Sequence, residues 1–432
     1  MKHKKIHVEM LMLCIVALSV IAPAVEAHQR SAEVIIEWDR LIQENLAGPP
    51  FSQVRVYAMV HIAMADAVVA IEGRFKPYHV HTRAPRGASS EAAAAQAAHD
   101  VLVALIPAAQ ATFDAALASD LDGIPKGPRY LGVAVGREVA QAVLDWRSDD
   151  GSATANPQPG AFLPSTLPGV WRQTASGPVQ FSLFGDAEPF GVLTPTQFLP
   201  VGFPQLESVE YAQDFNEVKS KGSATSSMRK PEETRFAQLF AGVGAFANVT
   251  NAFRLWHNVA RDVAQNRHLS LVETARLFAL LSASMHDSLQ TAQASKFVHR
   301  LWRPETAIDQ AGVDNNPDTI PETGWQPLLL TPPYPSHTSN MACIGTGSAR
   351  MLANVFGTDT QTFNATWYTG ASPPAIVYSQ RYTSFAALAQ DEGDSRIWGG
   401  IHFGFEIDTA QVSCTQVADF IFDNYMRSRG HR

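Results

Sequence analysis

Cysteine, charge and cationic excess are all scarce in this chain of 432 residues. There are 3 cysteines, and none falls in a spacing that ligates a metal. Charged residues make up 17% of the chain and hydrophobic residues 46%, which excludes a disordered polymer and provides for a large core. The formal net charge is -8. That balance excludes a general nucleic-acid binder and makes any local cluster of cations stand out. After the first 27 residues no stretch reads as long and apolar enough to cross a bilayer, so no transmembrane span is expected in the mature chain. Neither an internal repeat nor sustained β-alternation is read, and the length admits one large domain or two smaller ones.

What is present starts with a three-part leader. Lys2, Lys4 and Lys5 form a basic start, Met10 to Val25 is mostly apolar, and Val25-Glu26-Ala27 offers a small-residue cleavage site before His28. Residues 1–27 read as a signal peptide, which implies a periplasmic or extracellular protein; the alternative is an N-terminal membrane anchor. Cys14 lies in this leader, leaving Cys343 and Cys414 in the mature chain. Export would allow them to join, but sequence gives no distance between them, and two buried free thiols remain the alternative.

The remaining pattern is helical. Val54 to Glu72 repeats apolar residues at three and four, and Gly73 closes it. Ser90 to Leu105 and Leu131 to Trp146 read as further helices. Residues 151–206 carry Pro, Gly, Ser, Thr and Phe with no period, and their aromatics call for burial, so they read as an ordered covering loop. Helices resume at Val209, Glu232 and Val249, and Ser270 with Glu273 forms a capping box for a helix from Leu271 to about Trp302, ended by Pro304. A helix from Asn340 to Val355 and a last one from about Gly400 to Tyr425 complete the reading. The expected fold is all-α, two packed helical sub-bundles. Residues 28–208 form an N-terminal helical part with the covering loop, and 209–432 a C-terminal part carrying the site.

Two cationic clusters flank a Pro/Ser segment. Lys296 and Arg303 are seven residues apart, close to two helical turns, and so project from one face. Ser395-Arg396 precede Gly399-Gly400, after which His402 opens a helix with Glu406 four residues on. A carboxylate on one imidazole nitrogen fixes the tautomer and frees the other nitrogen to attack or ligate. Two surface cations and a structural histidine are the plainer reading of either cluster alone. Together, three cations and a histidine suit a tetrahedral oxyanion.

The spacings Lys-x6-Arg-Pro and Ser-Arg-x5-His-x3-Glu resemble the first and third motifs of the type 2 phosphatidic acid phosphatase (PAP2) and vanadium-dependent haloperoxidase superfamily. Asp287 to Lys296, Leu301 to Ile308 and Tyr57 to Ala67 are similar to its bacterial haloperoxidase-like branch. The resemblance implies two four-helix bundles with the anion between them. Lys296, Arg303 and Arg396 would hold equatorial oxygens, and His402 would be the apical ligand of vanadate or the nucleophile of a phosphatase. The cofactor implied is vanadate, or phosphate in the same site, and no haem. Hydrogen peroxide and a halide, or a small phosphoester, would be the reaction partners.

The middle motif, Pro-Ser-Gly-His in that superfamily, is altered here. Placed without a gap, Ser339 falls on the serine, Asn340 on the glycine and Met341 on the acid-base histidine. Placed with a gap, Pro335-Ser336-His337 is the motif, and His337 is the acid-base residue. The ungapped placement is preferred, because an added helical turn would have to be absorbed in a packed core. It keeps the oxyanion cradle and lacks the proton donor, since methionine has no proton to give; a lost general acid costs roughly 10²–10⁴-fold. His337 could still serve from the preceding loop. Three functions follow: an exported vanadium-dependent haloperoxidase-like enzyme, a soluble PAP2-type phosphatase, or an oxyanion-binding protein with impaired chemistry.

Overall fold

The structure is a computed structural model that describes residues 32–154, 165–174, 177, 179–246, 251–369 and 374–430. The leader read over residues 1–27 lies outside them. In chain order the main elements are α1 (32–45), α2 (Pro50–Glu72), α3 (Ser90–Leu105), α4 (Gln110–Leu121), α5 (Lys126–Trp146), α6 (Val209–Lys221) and α7 (Pro231–Ala241). There follow α8 (Ala252–Asn266), α9 (Leu271–His299), α10 (Pro304–Asp309), α11 (Asn340–Phe356), the strands β1 (Thr360–Tyr368) and β2 (Ile376–Ser384), α12 (Phe385–Trp398) and α13 (Gly404–Asn424). The fold is all-α apart from that one hairpin.

The long helix α9 is the axle. It is buried on every side from Leu277 to Lys296, and it packs against α2 on one side and α11 and α13 on the other. Such a helix shows no amphipathic stripe, because all its faces meet protein. Its N-terminus is the expected capping box, with Ser270 N donating to Glu273 at 3.0 Å. The N-terminal helices α2, α3 and α5 pack closely. A side chain at Gly132 or Gly136 of α5 would collide with the backbone of Ala-rich α3, so small residues on both helices set their approach. Helix α2 is long and apolar enough to cross a membrane, against the sequence expectation, but 83% of its apolar window is buried in the protein core.

Four expectations are corrected. Helix α9 ends at His299, where Arg300 turns to a left-handed φ of 56°, and Pro304 opens α10 instead of ending α9. Arg303 therefore does not share the α9 face with Lys296; it precedes α10, and the bend brings the two together. The last helix, read from about Gly400, starts at Gly404 as α13, so His402 lies in the turn before it, and α12 ahead of Gly399-Gly400 was not read at all. The hairpin was also missed: β1 alternates buried Phe363, Ala365 and Trp367 with Thr362, Asn364 and Thr366 on the outer face, a period of two that suits β-branched and aromatic residues.

The described residues of the covering segment are irregular, as expected, and residues 184–192 are pinned to α9 by side chains. Asp287 accepts backbone N–H bonds from Phe190, Gly191 and Val192 at 2.8, 2.7 and 2.9 Å. Gln290 donates to the carbonyls of Phe184 (3.2 Å) and Ala187 (2.5 Å). Cys343 and Cys414 form a disulfide between α11 and α13, which closes the alternative of two free thiols.

Candidate oxyanion site

Five short pieces of chain converge at the C-terminal ends of α9 and α12 and the N-terminus of α11. Lys296 stands in the last turn of α9 and Arg396 in the last turn of α12, where the helix dipole favours cations. Arg303 precedes α10, Ser339 caps α11, and His402 lies in the turn before α13. Gly400 makes this last turn possible: its φ is +77°, and a Cβ there would collide with the carbonyl oxygen of Gly222. Lys296 and Arg303 are fully buried, Arg396 is 5% exposed and His402 4%.

Each cation is held by backbone. Lys296 Nζ donates to the carbonyls of Ser336, at 2.7 Å, and Thr338. Arg303 donates to the carbonyls of Tyr334 (3.0 Å) and Ile401 (2.8 Å) and lies 3.2 Å from His402 Nε2, while its Nη2 has no hydrogen-bond partner. Arg396 bonds Ser395 Oγ at 2.9 Å and the carbonyl of Ala237 at 3.3 Å. Glu406 Oε2 lies 3.0 Å from His402 Nδ1, and the same oxygen accepts from Phe403 N at 2.8 Å and Ser336 Oγ at 2.9 Å. With Nδ1–H given to Glu406, the Nε2 lone pair of His402 faces the cations.

Burial dominates the electrostatics. It pushes the Lys296 ammonium and the His402 imidazole well below their ordinary pKa values, and neighbouring cations add to both shifts. Burial takes Arg396 down to about 10. It raises Glu406 to about 7, against the pull of Lys296 and Arg303, and Glu392, one turn before Arg396, to about 8. The site thus concentrates positive potential and is poised to take up protons when an anion enters.

The remaining predicted residues divide. Ser339 accepts from Ala342 N at 3.3 Å, which leaves its hydroxyl proton to give, and Asn340 Nδ2 donates to Gln293 at 3.1 Å. Helix α11 starts where the ungapped placement puts it. Met341 is half-buried and packs toward the larger apolar core. His337 is turned to the covering segment instead: its Nε2 lies 2.8 Å from the carbonyl of Val201, and burial lowers its pKa to about 3. Sequence reasoning assigned Tyr334 no role and offered Ser336 only within the gapped placement of the motif. The half-buried Tyr334 ring lies 5.5 Å from Lys296 Nζ and 5.2 Å from the Arg303 guanidinium, a cation–π wall for the cradle. Both residues stand in the Pro/Ser segment already singled out, but only tertiary contacts show their use.

A helical protein with a buried, cation-rich oxyanion cradle is the class this arrangement defines. Residues 276–430 match the family model of the VCPO second helical-bundle domain. Among solved structures, the chain is similar to the first bacterial vanadium-dependent iodoperoxidase, with 21% identity, a TM-score of 0.76, and 93% of this chain and 98% of that one covered. It is also similar to the holo-type bacterial vanadium-dependent chloroperoxidase (16% identity, TM-score 0.66, 88% and 93% covered) and to its apo-type (14%, 0.65, 86% and 92%). A search of curated protein sequences finds no match. The chain has the fold of the bacterial vanadium haloperoxidases, and the family-model match lies in its C-terminal part.

Proposed function

We propose that the protein is an exported, vanadate-dependent haloperoxidase-like protein. The observation that carries this reading is the convergence of Lys296, Arg303 and Arg396, all buried, on a histidine already oriented by Glu406. The donor set fits a tetrahedral oxyanion: three cations, one guanidinium nitrogen without a partner, and the first backbone N–H groups of α11. Lys296, Arg303 and Arg396 would hold the oxygens of the bound anion, with Ser339 Oγ and the N–H of Asn340 beside them. His402 Nε2 would ligate it. Bound vanadate would supply Lewis-acid activation of hydrogen peroxide toward a halide.

The chain's own part is to bind, orient and shield. Glu406 holds the Nδ1 proton of His402, so that Nε2 keeps its lone pair. Tyr334 and the covering segment keep bulk water from the cradle, which strengthens every charge within it. Neither Met341 nor His337 hands a proton to the cradle: one has none, and the other is committed to Val201. This favours slow turnover, and it is the observation behind a second reading, an oxyanion-binding protein with impaired chemistry. The disulfide supports export to an oxidising compartment.

The test uses the mature chain loaded with orthovanadate. Peroxide-dependent iodination and bromination of a dye are measured, with p-nitrophenyl phosphate hydrolysis in vanadate-free protein alongside. The proposal predicts weak halogenation abolished in His402→Ala. Phosphatase turnover inhibited by vanadate would instead assign the site to the phosphatase chemistry, and bound vanadate without either reaction would leave the binding role alone.

A further inference from the structure

A second cluster of ligating side chains lies away from the cradle, in the N-terminal core. Asp39 on α1, His61 on α2 and His257 on α8 are all fully buried. One ligating atom from each falls within 4.8 Å of the other two. His257 Nδ1 is 2.6 Å from Asp39 Oδ1, and His61 Nε2 is 3.4 Å from the same oxygen. These distances suggest a hydrogen-bonded triad, but the angles do not: Asp39 Oδ1, His61 Nε2 and His257 Nδ1 each have no hydrogen-bond partner. Buried polar atoms are nearly always paired. Three buried ligating atoms that face one another without well-aligned hydrogen bonds are disposed as co-ligands.

The surroundings have the form of an outer ligand shell. His61 Nδ1 lies 2.8 Å from Ser282 Oγ, which fixes the ring and leaves Nε2 to ligate. Arg261 pairs with the other carboxylate oxygen, Asp39 Oδ2. The Tyr57 ring stacks 4.1 Å from His257 and holds it in place. Two imidazoles and one carboxylate suit zinc better than calcium or magnesium, which take mostly oxygen.

We propose that Asp39, His61 and His257 bind a divalent transition metal of the zinc class, which clasps α1 onto the N-terminal core. The cluster is closed to solvent, so the metal would be structural. It is distinct from the oxyanion cradle, which uses none of these residues. Arg261 carries a like charge beside the metal and limits its affinity.

The test is metal content of the full mature chain, stripped with chelator and then titrated with zinc alone. We expect one zinc per chain by elemental analysis, a rise in Tm on adding zinc, and loss of both in His257→Ala and in His61→Ala. Arg261→Gln should bind zinc several-fold more tightly, whereas a purely structural Asp–His–Arg network would only lose stability on that change. Cobalt in place of zinc should give the visible bands of a nitrogen and oxygen ligand field. Wild-type protein that retains no more zinc than His257→Ala, with no Tm response, would overturn the proposal.

Discussion

Burial raises the Glu406 carboxyl to about 7, while Lys296 and Arg303 oppose the rise. The ordinary value is 4.5, so the folded chain keeps a proton that the unfolded chain loses between pH 4.5 and about 7. This contribution to stability is full below pH 4.5 and is lost as the pH climbs through about 7. The same proton governs the site. With Glu406 neutral the cradle has its greatest positive charge, so oxyanion affinity should fall as pH rises through 7, by at most about tenfold per pH unit for one linked proton. In Glu406→Gln that step should flatten; an unchanged profile, measured by vanadate titration against pH, would remove Glu406 from the balance. Met341 offers a second residue-scale test. Restoring a proton donor with Met341→His should raise the halogenation rate, within the roughly 10²–10⁴-fold range of a general acid. No change would mean that the side chain at 341 does not face the reacting atoms.

At the scale of elements, the covering segment depends on carboxylates that cap backbone rather than on apolar burial alone. Asp287 takes three consecutive N–H groups from residues 190–192, and Asp66 does the same for Tyr78, His79 and Val80. A buried carboxylate with three such bonds fixes a loop that has no ladder of its own. Asp287→Asn replaces one acceptor by an amide that faces donors, and should cost about 1–3 kcal/mol. A lower Tm together with faster proteolysis in 180–200 is the expected result. A lower Tm with the segment still protected would place the role of Asp287 within α9 instead.

Seen as a whole molecule, the chain was legible in its helices and its cations but not in its bends. Helices α2, α3 and α9 follow from periodicity and capping residues, which are local. The break at Arg300 was not legible, because a non-glycine residue in a left-handed conformation leaves no mark in the sequence and Pro304 looked like a sufficient stop. The hairpin was hidden by the surrounding helical pattern, although β1 alternates cleanly once its burial is known. The cradle was legible through its spacings, but the role of Tyr334 and the bond of Ser336 to Glu406 were not, because they depend on contacts with residues far along the chain. The Asp39, His61 and His257 cluster was invisible for the same reason: three helices supply one residue each.

The account rests centrally on the claim that these buried cations form an oxyanion site. Its most direct measurement is calorimetric titration of the mature, folded chain with orthovanadate, wild type against Arg303→Ala. Saturable binding of one vanadate per chain, displaced by phosphate and weakened at least about tenfold by Arg303→Ala, is the result predicted for a desolvated charge contact. Absence of saturable binding in folded wild-type protein, or equal affinity in the two chains, would contradict it.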